Sequence, residues 1–448
     1  MNRQNHLARG LKSRHVELMA LGGAIGTGLF LGAGQAIRFT GPSLILAYLI
    51  AGLAFFFLMR ALGELLMSDL SRHSYIDFIS KYLGNNVGFV AGWVYWFCWI
   101  TMAMADVTAS GLYMQFWFPN LPSWVTGVVF LAILALINSS YVSVFGEAEF
   151  WFALIKIVAI VVLILTGLIM VIFDFKTNYG HATPVNLVHY GFFAHGIHGF
   201  LMSFQMLTFS FTGIEMIGMT ASETKNPKRE LPRCINSVPT RILLFYVGSL
   251  LTLMCIYPWN RISAASSPFV QVFSGLGIRS AAAIVNFVVL TAALSSCNSG
   301  IYTTSRMVFS FNRPGGSKLS NFLAKLSHRQ VPIRAVFMSV IGIAVAIPLN
   351  WFVSHGVFTL ITGMSTTGFL LIWILIVLTH LRYRNSIGHP RRFEMPGYPY
   401  TDYYVLCFMG VVLVILFFQR QTLLALIASL ILFSGLYLGK LIIDRLNN

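Results

Sequence analysis

Apolar runs of about twenty residues recur along almost the whole chain, each ended by a short polar or basic stretch. That length is what a helix needs to cross a bilayer. The pattern predicts about twelve spans, at residues 16–37, 42–66, 87–118, 124–142, 150–173, 196–220, 242–258, 281–311, 335–351, 357–380, 405–418 and 423–443. The longest polar stretches between them, 223–241 and 312–334, are too short to form a soluble domain. The fold class is therefore an all-α polytopic membrane protein, a single integral domain over residues 1–448.

Two spans interrupt their own pattern. The first carries "LGGAIGTGLF" at 21–30, with Gly22, Gly23, Gly26 and Gly28 inside a helix where each glycine costs about 1 kcal/mol relative to alanine. The sixth carries "TFSFTGIEMIGMT" at 208–220. They lie five spans apart, in corresponding positions if residues 16–173 and 196–380 form two repeats and residues 403–443 add two further helices. Paired interruptions of this kind point to a transporter's midplane site. Unwinding the first frees amide groups at the start of a half-helix, an anion site suited to a carboxylate. Freed carbonyls around Phe209, Ser210, Phe211 and Thr212, before Gly213, suit an ammonium, with Phe209 and Phe211 as aromatic walls. The competing reading of the first stretch is close helix packing, since Gly22/Gly26 and Gly28/Gly32 both satisfy the GxxxG spacing. A weaker echo links "SGLY" at 110–113 with "SGIY" at 299–302.

Composition agrees with the pattern: 57% of residues are hydrophobic, 10% charged, and the mean hydropathy is +0.76. Charge then settles orientation. The net charge of +16 would suit nucleic acid, but 24 of the 30 lysines and arginines lie on the side of the N-terminus and only five on the other, with Lys156 inside a span. Such asymmetry places both termini in the cytoplasm and leaves no basic domain for a nucleic acid. The first span, with no small-residue cleavage site after it, is read as retained. Five cysteines without zinc-like spacing imply neither disulfides nor a metal, and no cofactor motif, GxxxxGK[ST] segment or nucleophile elbow is present, so an enzyme is not expected.

Ionisable residues inside spans mark function by default. Glu215 sits in the sixth span, as a substrate contact or a tie to a neighbouring helix. Asp106 in the third is its acidic companion, and Tyr95 in the same span is placed to line a cavity. Lys156, read as two turns into the fifth span, is a candidate carrier of a coupled proton, or snorkels to the interface. Glu147 and Glu149 are read as capping the N-terminus of that helix. His195 and His198, three residues apart, are too few ligands for a metal site.

At this point the motifs carry a resemblance. "GLKSRHVELMALGGAIGTGLFLG", "MRALGEL", "FGEAEFWFALIKI", "FSFTGIEMIGMTASETKNPKRELPRCINSVPTRILLFYVG", "YPWN", "SPFV" and "VVLTAALSSCNSGIY" resemble, in order, a bacterial amino acid permease of the amino acid transporter family within the amino acid, polyamine and organocation superfamily. The resemblance covers nearly the whole chain up to the tenth span and is nearest to neutral permeases for proline or threonine. It implies an inverted five-helix repeat with two extra helices, location in the cytoplasmic membrane, and secondary transport, mostly by proton symport. It puts the substrate carboxylate on Ala24, Ile25, Gly26, Thr27 and Gly28, the α-amino group on carbonyls within Phe209 to Glu215, and the proton-coupling lysine at Lys156. Two departures stand out: Ser222 replaces a usual glycine, and Asp106 stands where many relatives for other substrates have glutamate. The expected function is import of a neutral L-amino acid, proline, threonine or a small aliphatic one, with protons and without a cofactor. The alternatives are a carrier for cationic amino acids or polyamines, with Asp106 and Glu215 as counter-charges, and a non-transporting amino acid sensor. Oligomeric state is not encoded in these features.

Overall fold

The computed structural model describes residues 25–447, apart from 71, 73, 178–179, 221–226, 265, 313–317, 353–355 and 388–392. Ala24, Gly22, Gly23, Ser222 and the basic residues before the first span lie outside the described residues.

The first span opens with a bend at Ile25 and Gly26, turns helical at Thr27, widens into a π-helical turn over Gly28–Gly32 and continues as Ala33–Thr40. Gly41 then takes a left-handed φ of +62°, where a Cβ would also stand 3.1 Å from that of Ala194, and the second span runs back as Leu44–Ser68. This reversal is required. The helical stretch Gly28–Ser68 has 41 residues, and drawn straight it would reach about 60 Å, twice a hydrocarbon core.

Among the described residues, nine helical stretches are long and apolar enough to cross a membrane. Counting Gly28–Ser68 as two, and adding the shorter Ser123–Ser139 and the interrupted helix that begins as Gly196–Ser210, gives the twelve crossings the pattern predicts. Their ends differ from the hydropathy reading in a consistent way. The fifth span is Val142–Ile172 rather than 150–173, the seventh starts at Pro227 inside a stretch read as loop, and the tenth runs to Ile387. Hydropathy marks the part of a helix that sits in hydrocarbon, whereas the hydrogen-bonded helix continues into the polar layer. A short helix, Tyr75–Leu83, also escaped that reading; Ser74 and Asp77 form its capping box, and it is too short for a membrane pattern. On the opposite side, a two-stranded hairpin pairs Lys176–Thr177 with Gly180–His181, and a helix, Pro268–Gly275, packs against the eighth span, Arg279–Phe311.

Packing follows an exchange rule. Span 1 lies on 6, span 2 on 7, span 3 (Asn85–Met114) on 8, and span 4 on span 9, which begins with Ile333–Ala344. Span 3 also packs on 10 as 8 packs on 5, and 5 on 7 as 10 on 2. Each partner is five places along, and five crossings reverse the direction of the second set. Spans 11 (Tyr400–Ile415) and 12 (Arg420–Asn447) pack outside on 2, 3 and 10. Large apolar side chains left exposed, such as Leu136, Ile172, Ile284 and Ile341, suit lipid as the surrounding solvent.

Candidate functional site

The two interrupted spans cross at their interruptions, and small residues make the crossing possible. A Cβ on Gly28 would lie 2.7 Å from Cα of Ser210, and one on Gly32 would lie 2.6 Å from Sδ of Met206. At these two glycines the packing reading holds. Gly26 faces elsewhere: its added Cβ would meet Oγ of Ser296 at 3.2 Å and lie 4.0 Å from Oδ1 of Asp106. The one glycine-rich stretch thus serves helix contact on one side and faces buried polar side chains on the other.

That polar side is organised around span 1. Oγ1 of Thr27 donates to Oδ1 of Asp106 at 2.8 Å, and the buried hydroxyl of Ser296 lies beside the same carboxylate. At the bend, the Ile25 carbonyl accepts from Nζ of Lys156 at 3.1 Å. Two runs of donors then converge on Glu149. Lys156 also donates to Oγ of Ser295 at 3.1 Å, Ser295 donates to Oε2 of Glu149 at 2.9 Å, and Nδ2 of Asn298 donates to Oε1 of Glu149 at 2.7 Å. Nδ2 of Asn138 completes the second by donating to Oδ1 of Asn298 at 2.7 Å. An ammonium and a carboxylate are therefore joined through one serine, with both carboxylate oxygens satisfied, as buried charges require.

These contacts correct two expectations. Lys156 is 14 residues into its helix and fully buried, so it does not snorkel. Glu149 is not a helix cap: the helix starts seven residues earlier, and Glu149 is buried on the face of Lys156, two turns away. Ser295, Ser296, Asn298, Asn138 and Trp373 were not singled out from the sequence. The i, i+7 spacing of Glu149 and Lys156 and the polar run "SSCNS" at 295–299 inside an apolar span were the available signals.

In span 6 the interruption is a turn. Gly213 has φ of +93°, followed by a 3-10 turn at Ile214–Met216 and a helical turn at Ile217–Thr220. Its carbonyls are not bare. Phe209 accepts from the amide and hydroxyl of Thr212, Phe211 from the Ile214 amide, and Ser210 from the Tyr246 hydroxyl at 2.8 Å. The Phe209 oxygen thus has both lone pairs engaged, whereas those of Ser210 and Phe211 each retain a second one. Phe211 stacks on Phe55 with centroids 4.4 Å apart, and Phe209 lies edge-on to Phe358 at 6.3 Å. Glu215 accepts from the Tyr95 hydroxyl at 3.1 Å and from Nε1 of Trp373 at 3.2 Å, tying span 6 to spans 3 and 10. Tyr75 from the short helix packs edge-on to Tyr95 beneath this pair. Of the two histidines, His195 has Nδ1 3.1 Å from the Phe39 carbonyl. On the side away from the basic loops, a cavity of about 330 Å³ is lined by Tyr113, Gln271, Asn286 and neighbours. Tyr113 lies two turns beyond Asp106 on the same face of span 3.

Trp373→Phe keeps an aromatic ring, though a smaller one, and removes one donor to Glu215. A hydrogen bond to a carboxylate contributes about 1.5–3 kcal/mol, so the expected result is a lower melting temperature in detergent with ligand binding retained. Lost binding with unchanged melting would instead make the indole a ligand contact.

A bundle of this kind, with two interrupted helices crossing beside buried charges, is a polytopic membrane carrier. The chain belongs to the amino acid permease family, whose profile matches residues 15–447. It is 50% identical to the amino-acid permease AapA of Bacillus subtilis (strain 168) over 95% of this chain and 93% of the relative. It is 43% identical to the D-serine/D-alanine/glycine transporter of Escherichia coli (strain K12), over 99% and 95% of the two chains. To the aromatic amino acid transport protein AroP of Escherichia coli O157:H7 the identity is 41%, over 93% and 92%.

Proposed function

We propose that this protein is a proton symporter that imports a small neutral amino acid across the bacterial cytoplasmic membrane, with both termini in the cytoplasm. Its working unit is two inverted repeats, about 16–173 and 196–380, with the last two spans outside them. The substrate carboxylate sits on the amides of Ala24 to Gly28. The ammonium is received by carbonyls within Phe209 to Thr212, of which Ser210 and Phe211 each have a lone pair to spare, with the Asp106 carboxylate close to the bend. The observation that carries the coupling is the hydrogen bond from Lys156 to the Ile25 carbonyl. A protonated Lys156 holds the bend at the substrate's door through a charge-assisted hydrogen bond, and a neutral one makes the same contact more weakly. Proton occupancy and the shape of the carboxylate site are thereby linked.

A small neutral substrate is supported by the D-serine/D-alanine/glycine transporter and by the probable threonine/serine transporter YbxG of Bacillus subtilis, 40% identical. Of the two counter-charges a cationic cargo would use, Glu215 is already satisfied by Tyr95 and Trp373 and so is no ready partner, which leaves only Asp106, itself accepting from Thr27. The test is uptake into proteoliposomes at two external pH values with an imposed proton gradient. The panel is proline, threonine, alanine, glycine, both enantiomers of serine, lysine and phenylalanine. Accumulation of a small neutral member, faster at the lower external pH, is expected. Uptake indifferent to the gradient would overturn the coupling, and lysine as the preferred substrate would overturn the class.

A further inference from the structure

Four charged side chains that take no part in the site above meet at the basic-loop end of the bundle. Glu64 comes from span 2, His380 and Arg384 from span 10, and Asp402 from the start of span 11. Their side chains are at most 5% exposed. Oδ2 of Asp402 lies 2.8 Å from Nδ1 of His380, and Oε1 of Glu64 lies 3.3 Å from Nε2 of the same ring. Arg384 reaches Glu64 with both Nη2, at 3.0 Å, and Nε. Oε2 of Glu64 also accepts the Met395 amide at 2.6 Å. The other groups around the ring are Tyr383 and Tyr398, with centroids 6.4 and 5.8 Å away. One turn before Glu64, Arg60 donates to Oδ1 of Asn236 and lies over the ring of Phe393.

A carboxylate against each imidazole nitrogen, one hydrogen-bonded at Nδ1 and one at ion-pair distance from Nε2, favours the imidazolium. With His380 charged, two carboxylates face two cations and the cluster is neutral. With His380 neutral, a lone pair would face a carboxylate and the four side chains would carry one net negative charge, with the half-buried Arg60 as the nearest further cation.

We infer that Glu64, His380, Arg384 and Asp402 form a charge-balanced joint that fastens span 11, and the segment 393–399 leading into it, to spans 2 and 10, so that these elements move as one body during transport. His380 is a positioning residue in this joint, not a substrate contact. The inference rests on the transport reading. It goes beyond that reading by assigning span 11, which lies outside the proposed repeats, to one moving unit. Of the two ways to add a helix to a repeat carrier, as a fixed outer wall or as a passenger, the joint selects the passenger.

The experiment has two arms in proteoliposomes where uptake by the unaltered chain has first been recorded, so failure of the joint is distinct from failure of transport. In the first, His380→Gln leaves the cluster with one net negative charge, and the maximal rate is expected to fall about tenfold with KM within about twofold. The double variant His380→Gln with Asp402→Asn restores neutrality and is expected to recover most of the rate. A fully active single variant, or a double variant no better than the single, overturns the charge-balanced joint. The second arm leaves the cluster intact. Phe57 of span 2 and Tyr404 of span 11 face each other with centroids 6.2 Å apart. Cysteines at both positions are joined with a short bifunctional thiol reagent, alongside each single-cysteine variant. Transport that survives the cross-link supports a shared body; transport that stops only in the cross-linked double variant shows that the two spans separate in each cycle and overturns it. This arm decides even where the His380 variants fail to fold.

Discussion

Lys156→Met is expected to abolish gradient-driven accumulation while leaving substrate binding measurable by the purified protein. Methionine keeps most of the length and apolar stem of lysine but cannot donate, so the Ile25 carbonyl and Ser295 lose a shared donor at the same time. Ser295 and Asn298 still satisfy Glu149. The pH dependence of uptake should flatten, because the group whose protonation state is linked to the bend is gone. The expected rate at low external pH falls to that at high pH, at least about tenfold below the unaltered protein, as for an interaction needed only during the cycle. Counterflow exchange, which needs no net proton movement, is expected to persist. Unchanged pH dependence would return Lys156 to a structural role.

Gly28→Ala carries the largest expected cost in stability. Its Cβ would stand 2.7 Å from the Cα of Ser210, a backbone atom that no rotamer change can move. Overpacking of this kind costs about 1–3 kcal/mol, and here it also pushes apart the two interruptions that frame the proposed ligand site. Lower melting temperature and loss of binding are expected together. Gly410→Ala is the control: nothing lies within 4 Å of its added Cβ, and alanine is the better helix former by about 1 kcal/mol, so stability should rise slightly with uptake unchanged. Equal behaviour of the two variants would remove the close crossing as the reason for glycine at 28.

What the chain revealed by itself depended on the range of each cause. A glycine cluster and an apolar span with a buried lysine are local departures from a simple rule, and both led to the site. Glu149 was misjudged because "SVFGEAE" at 143–149 reads as polar loop by hydropathy, whereas its carboxylate is satisfied only by Ser295 and Asn298, about 150 residues away. The carbonyls of span 6 were expected to be bare. Thr212 and Tyr246 engage them, and only the folded turn shows it. Glu64, His380, Arg384 and Asp402 look like ordinary flanking charges until three spans bring them together. The exchange rule in the packing likewise has no counterpart in sequence stronger than the "SGLY" and "SGIY" echo.

The hydrogen bond from Lys156 ends on a main-chain oxygen, and every residue type supplies the same oxygen at position 25. Under the proposed coupling, side chains around the proposed ligand site can therefore be exchanged without rebuilding the contact made by Lys156. Power and selectivity then occupy separate genetic addresses in this fold. A lineage of such carriers can move from small to aromatic cargo by re-cutting the pocket while inheriting its engine unaltered.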